Sequence, residues 1–119
     1  MTDLSYAPRP VVVALPAEID MATAGQAGED LGSVLANNPS TVIADMTATR
    51  FCDSSGISML VRAHKHAAAH GTEFRLVVRS AGVLRILALA GIGQLLPIFP
   101  TVPQALAATP VPEPQAHCE

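Results

Sequence analysis

The chain has 119 residues, half of them hydrophobic, with a formal net charge of −3 and seven Lys plus Arg. That is enough apolar material for one core and too little length for two. With no Trp, one Tyr, three Phe and no basic run, it lacks the stacking platform and the electrostatic footprint of a nucleic-acid binder.

Leu4 to Ala7 reads as a short strand, broken by Pro8-Arg9-Pro10 before the β-branched run Val11-Val12-Val13-Ala14-Leu15, together an N-terminal hairpin. After Pro16, the segment Ala17-Glu18-Ile19-Asp20 ends in a capping residue. Ala24, Ala27, Leu31, Val34 and Leu35 then follow at helical spacing, which predicts a helix from about Met21 to Ala36. Asn37-Asn38-Pro39-Ser40 is a turn cluster, and Thr41 to Met46 reads as a buried central strand.

Thr47 to Ser55 is the next connection. Ile57, Leu60, Val61, His64 and Ala68 recur at the intervals of the inward stripe of a second helix, which Gly71 stops with a left-handed cap. Phe74 to Arg79 is a strand; Val83, Ile86, Leu87 and Ala90 give a third helical stripe closed by Gly91. Pro97 to Phe99 reads as a last short strand and Val102 to Ala108 as a final helix. The expected order is β-β-α-β-α-β-α-β-α, an α/β domain over residues 1–108 followed by a flexible proline-containing tail over 109–119.

The longest apolar stretch, Val83 to Phe99, is broken by Arg85, Gly91, Gly93, Gln94 and Pro97, so no membrane insertion is expected. The start Met-Thr-Asp-Leu-Ser has no signal-peptide pattern, and two cysteines, Cys52 and Cys118, are too few for a disulfide framework. A reducing, cytoplasmic setting is the expectation, with the two thiols unrelated. His66 and His70, four apart, share a helix face as two metal ligands could, while His64 falls in the apolar stripe and no third ligand is placed. Neither a metal nor a cofactor is expected. The Gly-x-Ser-x-Gly elbow and the Gly-rich phosphate loop are missing, so no enzymatic turnover is expected.

The chemically suggestive segment is Arg50-Phe51-Cys52-Asp53-Ser54-Ser55-Gly56-Ile57, where an apolar strand gives way to an amphipathic helix. Asp and Ser oxygens accept hydrogen bonds from the free N–H groups of a first helical turn, so the segment reads as an N-cap. A serine hydroxyl at an exposed helix start is also a reachable phosphate acceptor, and the positive end of the helix dipole tolerates the added charge. Spacing alone leaves Ser54 and Ser55 equivalent.

Three segments carry a resemblance that covers roughly Val11 to Ala107. They are Glu18-Ile19-Asp20 with Thr23-Ala24; Val42 to Met46 through Phe51 to Ile57; and Leu84 to Ile92 with Leu95 to Phe99. The chain resembles STAS domains, the group named for sulfate transporters and anti-sigma factor antagonists, and within it the bacterial antagonists. The resemblance implies a mixed, mostly parallel sheet of 4–5 strands with about four helices. It implies Ser55 as the phosphorylated residue, and a partner-binding face made by Asp20, Asp53, Ser54, Ser55, Gly56 and Ile57. The implied function is an anti-sigma factor antagonist: it binds an anti-sigma factor of the serine-kinase type, frees a sigma factor, and is switched off by serine phosphorylation and restored by a phosphatase. The implied state is a monomer or weak homodimer. The alternative within the same resemblance is the soluble STAS subunit of a lipid-transport ABC complex. Two departures stand out: Pro16-Ala17 precedes the first acidic turn where the family often has glycine, and Cys52 replaces the usual aliphatic residue.

Overall fold

Apolar β-branched runs bounded by Pro, Gly and Asn alternate with helices along the chain, and the computed structural model, which describes residues 9–108, resolves them into ten main elements. These are β1 (Pro10–Ala14), β2 (Glu18–Ile19), α1 (Ala24–Leu35), β3 (Thr41–Met46), β4 (Phe51–Cys52), α2 (Ser54–Ala69), β5 (Glu73–Val78), α3 (Ala81–Leu89), β6 (Ile98–Phe99) and α4 (Val102–Ala107), with one 3-10 turn at Ile92–Gln94. The expected strand at Leu4 to Ala7 and the tail from Thr109 lie outside the described residues.

Among the described residues the main sheet has the order β1-β3-β5-β6, with each of these pairings parallel. Each step to the next strand is a crossover through one helix. Right-handed crossovers that always advance in the same direction place α1, α2 and α3 on one face. Side-chain alternation along the strands then divides the core. Val42, Ala44 and Met46 of β3, with Phe74, Leu76 and Val78 of β5, pack among those three helices. Ile43 and Val77 point the other way and meet Ala105 of α4, flanked by Phe99 and Val102.

Arg75 holds α4 in place. The residue is 4% exposed; Nη1 donates to the Ala105 carbonyl at 2.6 Å, while Nε and Nη2 donate to Glu73 Oε1 at 3.1 and 2.9 Å. A buried guanidinium is tolerated here because the carboxylate and the last helical turn satisfy it together.

Two helices differ from the expected pattern. α1 begins at Ala24 rather than near Met21, because Thr23 ties the preceding turn back to β2: its hydroxyl donates to Glu18 O at 2.8 Å and accepts from the Asp20 N–H at 3.0 Å. In α2 the fully buried side is Gly56, Met59, Leu60, Ala63 and Ala67; Ile57, Val61 and His64 are half-buried and Ala68 is exposed. The stripe is rotated because α2 lies close against α1 and the strands, where small residues fit. The left-handed ends at Gly71 (φ 72°) and Gly91 (φ 78°) lie where expected.

Candidate functional site

Above the ends of β1 and β3, the chain builds a second, two-stranded sheet that periodicity did not disclose. Asp45 Oδ1 accepts from the Thr47 N–H at 3.0 Å, which turns the chain after β3. The buried Thr49 hydroxyl then donates to Pro16 O at 2.8 Å, and the Arg50 N–H donates to Ala17 O at 2.7 Å. These ties set β2 and β4 in parallel register, Glu18 against Phe51 and Ile19 against Cys52, and the Asp53 N–H closes the ladder on Ile19 O at 3.0 Å. Asp20 and Asp53 therefore leave neighbouring parallel strands at the same level.

Each of these aspartates organises the turn that follows it. Asp53, with φ −102° and ψ −168°, is the N-cap of α2; its Oδ1 accepts from the Ser55 N–H at 2.8 Å and the Gly56 N–H at 3.4 Å. Asp20 was expected as the N-cap of α1 and instead caps the turn before it. Its Oδ1 accepts from the N–H groups of Ala22 and Thr23 at 2.9 and 3.2 Å, and Thr23 itself occupies the cap position.

Ser54 opens α2 and is exposed; Ser55 is half-buried, with its N–H already engaged by Asp53. Among the described residues neither hydroxyl takes part in a hydrogen bond. Both are chemically free at the positive end of a 16-residue helix.

Gly56 sets how closely this helix start is seated. A Cβ there would lie 2.5 Å from Cys52 Sγ and 2.8 Å from Ile19 Cγ2, so the absent side chain lets α2 rest directly on the β2–β4 pair. Cys52 and Ile19 are 1% and 0% exposed. Burial, with the Asp53 carboxylate adding to it, pushes the Cys52 thiol from 9.0 up to about 11, so it remains a neutral SH at physiological pH. Cys52 serves there as a small buried hydrophobe facing Gly56. Ile57, half-buried, packs against the core, and its N–H donates to Asp53 O at 3.1 Å.

Five of the six expected face residues, Asp53 to Ile57, are thus consecutive on one helix start, and the ladder brings Asp20 beside them. Two exposed apolar residues lie close by in sequence: Met21, 85% exposed, follows Asp20, and Phe51, 47% exposed, stands two positions before Asp53. Only the alternation of Phe51 with buried Cys52 in a strand hints at the latter. His66 and His70 meet edge to face at 4.8 Å, His70 Nδ1 donates to the His66 carbonyl at 2.9 Å, and no group of three metal-ligating side chains occurs among the described residues. Nor is any helix among them long and apolar enough to cross a membrane.

Residues 3–105 match the family model of the STAS domain. The anti-sigma-F factor antagonist RsfB of Mycobacterium tuberculosis is 30% identical over 95 residues, 80% of this chain and 77% of the relative. A crystal structure of an anti-sigma factor antagonist from Mycobacterium paratuberculosis superposes with a TM-score of 0.74 at 31% identity, covering 81% of this chain and 82% of the other. An anti-sigma-factor antagonist (STAS) domain protein of Planctomyces limnophilus superposes with a TM-score of 0.68 at 25% identity, covering 80% and 85%.

Proposed function

Because this chain belongs to the STAS domain family, we propose that it is a bacterial anti-sigma factor antagonist whose docking face is the start of α2 with the adjoining Asp20 turn. It acts in the cytoplasm by binding rather than catalysis. The partner is an anti-sigma factor of the serine-kinase type, and docking competes with the sigma factor, which is released. The observation that carries this reading is the Asp53-capped helix start, with two free serine hydroxyls beside a second aspartate.

Ser55 is the acceptor in this reading. Phosphorylation adds about −1.5 to −2 charges at neutral pH. Within the domain the α2 dipole offsets part of the cost, roughly 0.3–1 kcal/mol at an exposed terminus. Across the interface no such offset operates, and burying an unpaired phosphate there costs several kcal/mol through desolvation. Since each 1.4 kcal/mol is about tenfold in affinity, a local charge change dismisses the partner without refolding either protein. A phosphatase restores the docking form.

The test is a pull-down with wild-type, Ser55→Ala and Ser55→Glu proteins, read by mass spectrometry. The proposal expects an anti-sigma factor with the first two and its loss with the third. Recovery of ABC-transporter subunits with all three, and of no anti-sigma factor, would overturn it.

A further inference from the structure

A groove adjoins the Asp20 turn and shares Thr23 with it. Its apolar lining combines buried Leu15, just after β1, and buried Ala27 of α1 with exposed Pro16 and with exposed Ala22 from the turn before α1. Its mouth carries Gln26 and Asp30. Gln26 Nε2 donates to Asp30 Oδ1 at 2.9 Å, which orients the carboxylate; its second oxygen takes no hydrogen bond among the described residues. No Lys, Arg or His lines the groove.

An apolar trough that ends at an exposed, oriented carboxylate suits a side chain that is hydrocarbon along its stem and cationic at its head. We propose that this groove receives an arginine or lysine side chain of the anti-sigma factor docked at the helix start, an inference that rests on the function proposed above. Continuity with that face supports this occupant. Thr23 forms a wall of the groove while its hydroxyl bonds Glu18 O and the Asp20 N–H, so groove and docking loop are one piece. Charge points the same way. Glu18, Asp20, Glu29 and Asp30 all lie on the segment from β2 into α1, which carries no basic residue from Glu18 to Leu35. In this arrangement the groove contributes affinity, while Ser55 supplies the switch.

Two measurements test it. Nitrogen-15-labelled full-length protein is titrated with N-acetyl-arginine amide and, in parallel, with N-acetyl-norleucine amide and N-acetyl-glutamate amide. Amide shifts centred on Ala22, Thr23, Gln26, Ala27 and Asp30 are expected with the arginine probe alone, and are reduced in Asp30→Asn. The anti-sigma factor captured in the pull-down is then titrated calorimetrically. Asp30→Asn should weaken binding by up to about fivefold, the size of an exposed ion pair, and Ala22→Phe, which fills the trough from an exposed position, by more. The fold-loss on Ser55→Glu should be the same in both backgrounds as in wild type. Unchanged affinity in both variants, or identical shifts with all three probes, would overturn the groove assignment. If no anti-sigma factor is captured, the functional reading fails, and the probe titration alone decides the groove.

Discussion

Replacing Gly56 with alanine sets two well-defined effects against each other. Gly56 lies in the first turn of α2, where its backbone is helical, so alanine gains up to about 1 kcal/mol of helix propensity. Against that, the new Cβ would stand 2.5 Å from Cys52 Sγ and 2.8 Å from Ile19 Cγ2, when non-bonded carbon atoms settle at about 3.5–4.0 Å. Neither neighbour can yield alone, because Ile19 and Cys52 are paired in the β2–β4 ladder and fully buried. Overpacking of this kind costs about 1–3 kcal/mol, so Gly56→Ala should be destabilised by about 1–2 kcal/mol in urea titrations, or roughly 5–10 °C in midpoint. Removing the nearer obstacle should relieve part of this: in a Cys52→Ala background the same substitution should cost less, a coupling of about 0.5–1.5 kcal/mol. Equal or greater stability of Gly56→Ala would refute the close seating of α2 on Ile19 and Cys52.

Asp53→Ala should lose about 0.5–2 kcal/mol by removing the cap on the Ser55 and Gly56 N–H groups, with Asp53→Asn retaining most of it in the same denaturant assay. Arg75→Ala should destabilise by about 2–4 kcal/mol, since Glu73 loses its guanidinium and the Ala105 carbonyl its donor, and native-state hydrogen exchange should show α4 loosening first. The raised Cys52 thiol favours the protonated folded state, so its contribution to stability is complete below pH 9 and fades as pH rises through about 11. Comparison of wild type with Cys52→Ala across that range should reveal a loss confined to wild type. Iodoacetamide at pH 8 should also alkylate Cys52 in a Cys118→Ser background far more slowly in the folded protein than in urea.

Long elements with clear periodicity were legible in the sequence. β3, β5 and the helices α2 and α3 fall within a residue or two of expectation because Val, Ile and Leu recur at the right intervals and Gly71 and Gly91 mark the helix ends. The Asp53-Ser54-Ser55-Gly56 start of α2 was legible through its capping chemistry. The β2–β4 pair was not. Two residues per strand carry no period, and their pairing depends on contacts such as Thr49 with Pro16 that lie 33 positions apart. The rotated stripe of α2 was missed for a related reason: large aliphatics such as Ile57 and Val61 dominate the pattern, whereas close approach buries Gly56, Ala63 and Ala67. Asp20 is legible as a cap, but not the turn it caps, because Thr23, three positions on, binds both Glu18 and Asp20 and delays the helix.

The Ser55 switch is tested most directly by one comparison: the affinity of the captured anti-sigma factor for this protein, unphosphorylated and then stoichiometrically phosphorylated at Ser55, measured by calorimetry under identical conditions. Several kcal/mol of interface cost corresponds to a loss of at least about a hundredfold on phosphorylation. Equal affinity of the two forms would contradict the switch.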